Sequence, residues 1–561
     1  MSERVGGAQP RSVAEKQALL AELLRGRPAG LGALLPSTGQ ERLWLEEALS
    51  PGSPRNHIPL AFRLAGPLRP ALLERAVNGV VRRHDALRTA FVERRGRPLC
   101  RVHPARPVPL AVVDLRATPE ARRARRVSRL LVREARRPFS LARDPLLRVS
   151  LLRLADDDHV LALVFHHIVS DGPSVELFLD EVSRLYAAYA RGEPDPLSAL
   201  SAQYADYVAR ERRDAASPAT EAKLAEWRER LAGASAELAL PADRRRPARP
   251  GHGGGVVPFE LSPGLGRRLH ALAQARGATP FMLLMSAYAA LLARLSQQDD
   301  FVIAFPASTR GRRELEGLIG FFVNPVPLRV RAGAETTFAA LLESVREQVV
   351  RGMACRDVPY DRVMQAMASS RGEGRAPEVR ATFMLETVGG QALSLPDVRV
   401  EPFAIPWRAA KQDLSLVMEP RGDALHGRLL YARDLFDAAT AERIAEHFGV
   451  LLEAAAADPE QPVAALPLLD EAARREVLEE WNRTDEPVPA HAGVHELFQA
   501  QAGRAPDAVA LVSGGESLTY GALNRRANRL ARHLRSRGVG PETRVGVCVE
   551  RGVEMVEALL G

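Results

Sequence analysis

An apolar run that ends in two histidines is the most informative pattern of hydrophobic and polar positions in the chain. Residues 160–165 read Val-Leu-Ala-Leu-Val-Phe, which predicts a strand buried on both faces. His166 and His167 follow directly. Successive strand residues point to opposite faces, so the two imidazoles cannot enter one cavity. We therefore expect one histidine to pack and the other to be available for chemistry.

The residues after the histidines predict a turn and then a helix. Pro173 suits a first helical turn, and the apolar positions that follow it recur at helical spacing. In the turn, Asp171 can cap the helix or meet a cation from elsewhere, and Gly172 permits an unusual backbone angle or a close ligand approach. A neutral imidazole beside such a turn can handle the proton of an attacking amine or hydroxyl, as acyl transfer requires.

Metal binding is the alternative use of paired histidines. Adjacent strand histidines diverge, and none of the three cysteines lies near them in sequence. The sequence therefore predicts no metal site.

Other patterns predict further elements. Residues 264–296 have helical periodicity, and 301–305 read as a buried strand. Residues 240–255 combine Pro, Gly and Arg, which predicts a loop. The arginine-rich stretch 116–137 is typical of a solvated helix face, and residues 12–27 predict a short amphipathic helix that either leads into the domain or docks a partner.

Composition and charge limit the function classes. A chain of 561 residues with 46% hydrophobic content is long enough for three or four domain-sized units. Its net charge of +8 comes from 77 basic residues against 69 acidic ones, spread along the chain, so we expect no nucleic-acid partner. Few cysteines and the lack of a long apolar segment in the first 30 residues predict a cytoplasmic protein without a membrane partner.

Seven motifs in order carry a resemblance to a known family. The string HHIVSDGPS at 166–174 resembles the HHxxxDG motif of nonribosomal peptide synthetase condensation domains, part of a wider acyltransferase superfamily. Six more stretches are similar to that family's other motifs: STGQERLWLEEAL (37–49), NHIPLAFRLAGPL (56–68), RHDALRTAF (83–91), YADY (204–207), IGFFVNPVPLR (319–329) and DVPYDRV (357–363). The resemblance covers about residues 30–468. Departures occur at Pro173, at 355–357 and at 371–375, where we expect effects on substrate fit more than on reaction type.

The resemblance implies an α/β fold of two chloramphenicol-acetyltransferase-like lobes arranged in a V. The expected organisation is an N-terminal helix or linker (1–30), an N-lobe (31–205), a C-lobe (206–465), an interdomain linker (466–490) and a truncated start of an adenylation domain (491–561). The last segment resembles that domain through its first motif at 518–523, but later motifs for ATP chemistry are missing. We therefore expect this chain not to activate an amino acid by itself.

The resemblance also implies roles for site residues. His167 matches the family's second histidine and is the expected catalytic residue, as a base or as an acceptor that orients the amine; His166 is expected to pack. Asp171 is expected to pair with an arginine of the first lobe. Three more residues are expected to support the site: Gly172 near the substrate, and Arg63, then Arg88, as the partner of Asp171. Asn324 is a candidate outer residue.

The implied reaction is amide-bond formation between two substrates held as thioesters on the phosphopantetheine arms of donor and acceptor carrier domains. No cofactor is expected on this chain itself, and a downstream adenylation domain of the same synthetase is an expected partner. The sequence of residues 319–324 resembles the form of this motif that favours an L-configured donor and an L-configured acceptor. Fatty-acyl starter condensation and epimerization are the alternative reactions, and a noncatalytic platform that recruits carriers or tailoring enzymes is the alternative class.

Overall fold

The computed structural model of the chain describes residues 34–235, 237–247, 251, 253–370, 379–386, 393–486 and 493–561. Contacts separate two compact units, the first ending at Asp470 and the second running from Glu471 to Gly561. The predicted helix at 12–27 and the departure at 371–375 lie outside the described residues.

Two β-sheets organise the first unit. Its strands are His57–Ala65 (β1), Thr89–Arg94 (β2), Arg97–Val102 (β3), Leu110–Asp114 (β4), Leu147–Arg153 (β5), Asp158–His166 (β6), Gly253–Leu261 (β7), Asp300–Ser308 (β8), Val323–Arg331 (β9), Ala381–Leu385 (β10), Arg399–Pro402 (β11), Arg408–Ala409 (β12), Leu414–Arg421 (β13) and Ala424–Ala432 (β14). One sheet has the order β11-β1-β6-β5-β4, and the other has the order β12-β7-β14-β13-β10-β8-β9. Strands β2 and β3 form a separate hairpin. This mixed α/β architecture confirms the predicted fold class.

Helices connect and cover the strands of this unit. They are Thr38–Leu49, Pro70–Arg83, Glu120–Arg136, Gly172–Ala190, Tyr204–Ala215, Pro218–Leu231, Pro263–Ala275, Pro280–Ser296, Phe338–Ala354, Tyr360–Ser370 and Ala438–Ala457. Side-chain caps start several of them: Ser37, Asp171 and Thr279 each accept a hydrogen bond from a backbone N–H in the first turn.

The strand and helix around the histidines form as predicted. In β6 every residue from His159 to His166 is buried, which confirms a strand covered on both faces. The helix after the turn begins at Gly172, one residue before the predicted start, because the Asp171 carboxylate caps it. The predicted strand at 301–305 is the centre of β8.

Two sequence predictions need correction. The helical stretch 264–296 forms two helices, because Gly277 takes a left-handed conformation (φ +58°) and Pro280 starts a new helix. The predicted loop 240–255 ends earlier than expected, since Gly253 already belongs to β7. A Cβ on Gly255 would lie 2.0 Å from the Tyr431 ring, so glycine there serves close packing within the sheet.

Each sheet has its own core, and two chain segments cross between them. A buried cluster that includes Leu64, Phe165 and Phe178 lies at the first sheet, and a larger one lies at the second. The segment 319–323 leads into β9 of the second sheet, yet Ile319 and Phe321 pack in the first core. Strand β11 also comes from the second half of the chain but pairs with β1. The chain therefore passes between the two sheets more than once.

The arginine-rich helix behaves as predicted. In Glu120–Arg136 the buried residues are Val127, Leu131 and Ala135, one stripe at helical spacing. The arginines of this helix lie outside that stripe, as expected for a solvated helix face.

The second unit is small. It contains the helices Glu471–Arg475, Val494–Arg504, Tyr520–Ser536 and Val553–Leu560 and a hairpin of Val509–Ser513 (β15) with Glu516–Thr519 (β16). Its core is built on Leu518, Leu523 and Val553.

Within the described residues, a single helix that meets the length and hydropathy needed to cross a bilayer is not found; Pro263–Ala275 and Pro280–Ser296 meet them only as a pair bent by 105°.

Candidate active site

The two histidines separate as the strand alternation predicts. His166 ends β6 opposite His57 of β1 and is fully buried. Its ring packs edge-on against His57 and Phe139. His167 begins a short 3-10 turn, is half-buried, and lies edge-on to Phe321 at 5.2 Å between ring centroids. The structure therefore gives His166 a packing position and His167 a place at a surface.

Hydrogen bonds give the two rings opposite tautomers. The Nδ1 atom of His167 lies 2.8 Å from the Ser170 carbonyl oxygen. A carbonyl can only accept, so His167 Nδ1 carries the proton and Nε2 keeps its lone pair. In His166 the relation is reversed, because the backbone N–H of Ile168 donates to Nδ1 at 3.1 Å. Only His167 therefore offers Nε2 as an acceptor.

A large cavity adjoins His167. Its volume is about 840 Å³, and its lining includes His167, residues 57–60 of β1, and Lys411. The opposite wall comes from β7, β10, β13 and β14 of the second sheet. A second cavity of about 300 Å³ includes Phe321, the ring packed on His167, in its lining. The lining of the first cavity thus includes His167 itself, and the lining of the second includes its aromatic neighbour Phe321.

The electrostatic environment keeps His167 uncharged. Burial lowers the pKa of His167 well below its usual value, and the cations Lys411 and Arg42 lower it further. Burial also depresses the pKa of His166, and the neighbouring His57 and His167 lower it further. At neutral pH the His167 ring is therefore a neutral, weak base.

Asp171 both caps its helix and meets a cation. One carboxylate oxygen accepts from the Ser174 backbone N–H at 3.0 Å. The other accepts from Arg310 Nη1 at 2.8 Å and from the Phe322 N–H at 3.0 Å. The Asp171 side chain is fully buried and that of Arg310 is 8% exposed. This pair joins the helix after the histidines to the loop that follows β8.

The prediction that Arg63 or Arg88 pairs with Asp171 is wrong. Arg63 binds Asp158 through two hydrogen bonds, of 3.0 and 2.9 Å. Asp158 starts β6 and lies about 26 Å from the histidine end of that strand, at 3.3 Å per residue. Arg63 lies near Asp158 because the antiparallel register places His57, not Arg63, opposite His166.

Arg88 is also engaged elsewhere. It pairs with Asp85 in its own 3-10 turn and donates to the carbonyl of His103 at 2.5 Å. Its contacts hold the turn against the end of β3. The partner of Asp171 comes instead from the second half of the chain.

Gly172 and Asn324 take different positions in this site. Gly172 is exposed at the first position of its helix, and a Cβ there would meet nothing within 4 Å. It does not adopt a positive φ, so the close-approach explanation is the one that stays open. Asn324 donates to the carbonyls of Arg356 and Val358 and accepts from the Tyr360 N–H. Its amide ties β9 to a neighbouring loop beside the second cavity.

Three groups that the sequence prediction missed contribute to the site. Arg310, Phe321 and Lys411 lie 143 or more residues after His167, and no local pattern links them to the histidines. Phe321 stands within a motif that the sequence does reveal, and this was the one signal for it. Among the described residues, no cluster of three or more His, Cys, Asp or Glu side chains is arranged to hold a metal ion.

Comparisons with known protein families match both parts of the chain. A family model described as "Condensation domain" matches residues 33–478, and one described as "AMP-binding enzyme" matches residues 498–561.

Curated relatives are long synthetases. Chondramide synthase cmdD of Chondromyces crocatus is 38% identical over 538 residues, which cover 95% of this chain and 14% of the relative. Phosphinothricin tripeptide synthetase PhsB of Streptomyces viridochromogenes is 38% identical over 546 residues, which cover 96% of this chain and 46% of the relative. The chain thus spans less than half the length of either protein.

Solved structures share the architecture. The X-domain from teicoplanin biosynthesis matches with a TM-score of 0.72 and 29% identity, covering 79% of this chain and 99% of that one. The four-domain synthetase AB3403 matches with a TM-score of 0.78 and 23% identity, covering 93% of this chain and 40% of that one. At that identity the second likeness shows the fold alone.

Proposed function

Because the match over residues 33–478 shows that the chain belongs to the condensation-domain family of nonribosomal peptide synthetases, we propose that it forms an amide bond between two carrier-bound substrates. The acceptor's amine attacks the thioester carbonyl of the donor. A C–N bond forms, the C–S bond breaks, and the amine proton leaves with the donor thiol. The substrates arrive on phosphopantetheine arms of carrier domains, as in the family.

The observation that carries this proposal is the neutral, oriented imidazole at the cavity wall. The Ser170 carbonyl fixes His167 Nδ1 as the donor, which leaves Nε2 as the acceptor. An α-amino group titrates near ~7.7 to 8.0, so part of it is already neutral at pH 7. Little basicity is then required of His167.

A weak base in this position suits an orienting role. We propose that Nε2 accepts a hydrogen bond from the neutral amine, aligns it with the thioester within ~3 to 3.5 Å, and passes on the proton as the amide forms. His167 is then the catalytic residue. Asp171 supports it from a distance by fixing the turn that carries it.

The substrates' configuration belongs to the same proposal. The similarity of residues 319–324 to the family's motif supports an L-configured donor and an L-configured acceptor. L- and D-aminoacyl donors, compared with a fatty-acyl donor in one assay, would separate this reaction from starter condensation, and conversion of an L-aminoacyl carrier to the D form without an acceptor would identify epimerization.

A reconstituted assay tests the function. The full chain is mixed with a donor carrier loaded with an acyl or peptidyl thioester and an acceptor carrier loaded with an aminoacyl thioester. Intact-protein mass spectrometry then shows which carrier holds the product. The proposal predicts the amide product on the acceptor carrier and a free thiol on the donor carrier; unchanged carriers would contradict it.

A recruitment platform is the second candidate. It is supported by the likeness to the X-domain, which has also been solved in a complex with OxyB and matches there with 29% identity. A platform requires no turnover. Product formation in the assay above would reject it, and its absence together with capture of a tailoring enzyme would favour it.

A further inference from the structure

The cavity beside His167 is rich in positive charge. Its lining includes the cations Arg55, Lys411, Arg428 and Arg433 and one carboxylate, Glu386. The carboxylate is already engaged, since Arg428 Nη2 lies 2.5 Å from it. The described lining of this cavity therefore carries an excess of positive charge.

Lys411 is the cation set deepest among these charges. It is half-buried, and its ammonium makes no hydrogen bond or ion pair with a described residue. Glu46 is the carboxylate whose charge acts on it most, but Glu46 accepts from Asn56 at 3.1 Å and lies 4.0 Å from Arg42. Arg55 donates to the backbone carbonyl of Lys411 and so adds a second positive charge nearby.

Such an ammonium is costly to leave unpaired. Burial lowers the pKa of Lys411 to about 8, so most of the side chain is still charged at pH 7. A partly desolvated cation gains most from an anion that enters the same low-dielectric space. The neighbouring positive charges would repel a cationic group in that place.

We propose that the cavity beside His167 takes a substrate whose side chain carries a carboxylate, and that Lys411 is the residue that selects it. The inference rests on the proposed condensation function and adds a substrate class to it. The carboxylate belongs to the side chain of whichever substrate, donor or acceptor, occupies the cavity beside His167.

The phosphate of a phosphopantetheine arm is the other anion available to such a cavity. A phosphate contact would help every carrier-bound substrate equally, whereas a side-chain carboxylate would separate glutamate from glutamine. Thioesters of N-acetylcysteamine lack the phosphate, so they distinguish the two sources.

The test compares glutamyl with glutaminyl substrates at pH 7, in the donor and in the acceptor position, each as the N-acetylcysteamine thioester and as the carrier-bound form. For the full chain we expect kcat/KM to favour the glutamyl substrate at least about tenfold in one position. Lys411→Met should bring that ratio close to one, and Lys411→Arg should retain most of it. Arg421→Gln removes a charge from the same sheet outside the cavity and should leave the ratio unchanged.

The outcomes separate the two proposals. Equal rates for glutamyl and glutaminyl substrates in both positions would overturn the carboxylate inference and leave the condensation function standing. A Lys411→Met effect confined to carrier-bound substrates, and equal for both, would assign the contact to the phosphate and also overturn it. If no substrate yields product, the condensation function fails and the inference fails with it.

Discussion

The buried pair of Asp171 and Arg310 should stabilise the first unit more than any single surface contact. Replacing Asp171 with alanine removes the N-cap of the helix Gly172–Ala190 and leaves the Arg310 guanidinium without its carboxylate. Loss of one member of a buried ion pair costs about 3 to 5 kcal/mol. Loss of an N-cap costs about 1 kcal/mol. We expect the free energy of unfolding to fall by about 4 to 6 kcal/mol.

The structure supplies two further members of the experiment. Arg310→Met should cost about 3 to 5 kcal/mol, because the Asp171 carboxylate keeps two N–H donors but loses its cation. The double variant should cost less than the sum of the two, with a coupling energy of at least about 1 kcal/mol.

Arg63→Met is the matched control. It breaks an arginine–aspartate pair whose Arg63 side chain is 49% exposed, so the cost should be at most about 1 kcal/mol. Urea unfolding of the full chain, followed by far-UV circular dichroism, measures all four variants. The reasoning is refuted if Asp171→Ala unfolds at the urea concentration of the wild type, or if it costs no more than Arg63→Met.

Four other residues give predictions of their own. Burial lowers the pKa of His57 to about 4, below the value of 6.5 in the unfolded chain. The unfolded state therefore takes up a proton first, and stability is lost as pH falls from about 6.5 to about 4. The urea midpoint should decline as pH falls through that range, and it should decline less steeply in His57→Gln. Gly320→Ala should lower the free energy of unfolding by about 1 to 3 kcal/mol, because the new Cβ would lie 2.0 Å from the Tyr204 ring. Gly172→Ala should melt at the temperature of the wild type, because a Cβ there meets nothing within 4 Å. Equal melting temperatures for the two variants would contradict this. Nitrogen-15 NMR of labelled histidine should find His167 neutral at pH 6 with its proton on Nδ1; a proton on Nε2 would contradict the hydrogen-bond assignment.

Local patterns predicted the elements that carry the histidines, and long-range contacts determined the rest. Alternation along a strand predicted that the two rings would separate, and they do, although His167 itself lies just after β6 in a 3-10 turn. The Asp171 cap could also be predicted, since capping is local.

The partner of Asp171 could not be found in this way. Arg310 lies 139 residues away and reaches Asp171 through tertiary packing, near a segment in which Ile319 and Phe321 pack in the first core. The sequence around Arg63 does not reveal that β1 pairs antiparallel with β6. That register places Arg63 at the end of β6 far from the histidines. Lys411 likewise approaches His167 through tertiary packing alone.

The most direct test of the central claim is a single-turnover comparison of the wild type with His167→Ala, using loaded donor and acceptor carriers. The account predicts a loss of at least about a hundredfold in the rate of amide formation, with the circular dichroism spectrum and urea midpoint of the wild type. Near-native rates in His167→Ala, with both carriers intact, would contradict it.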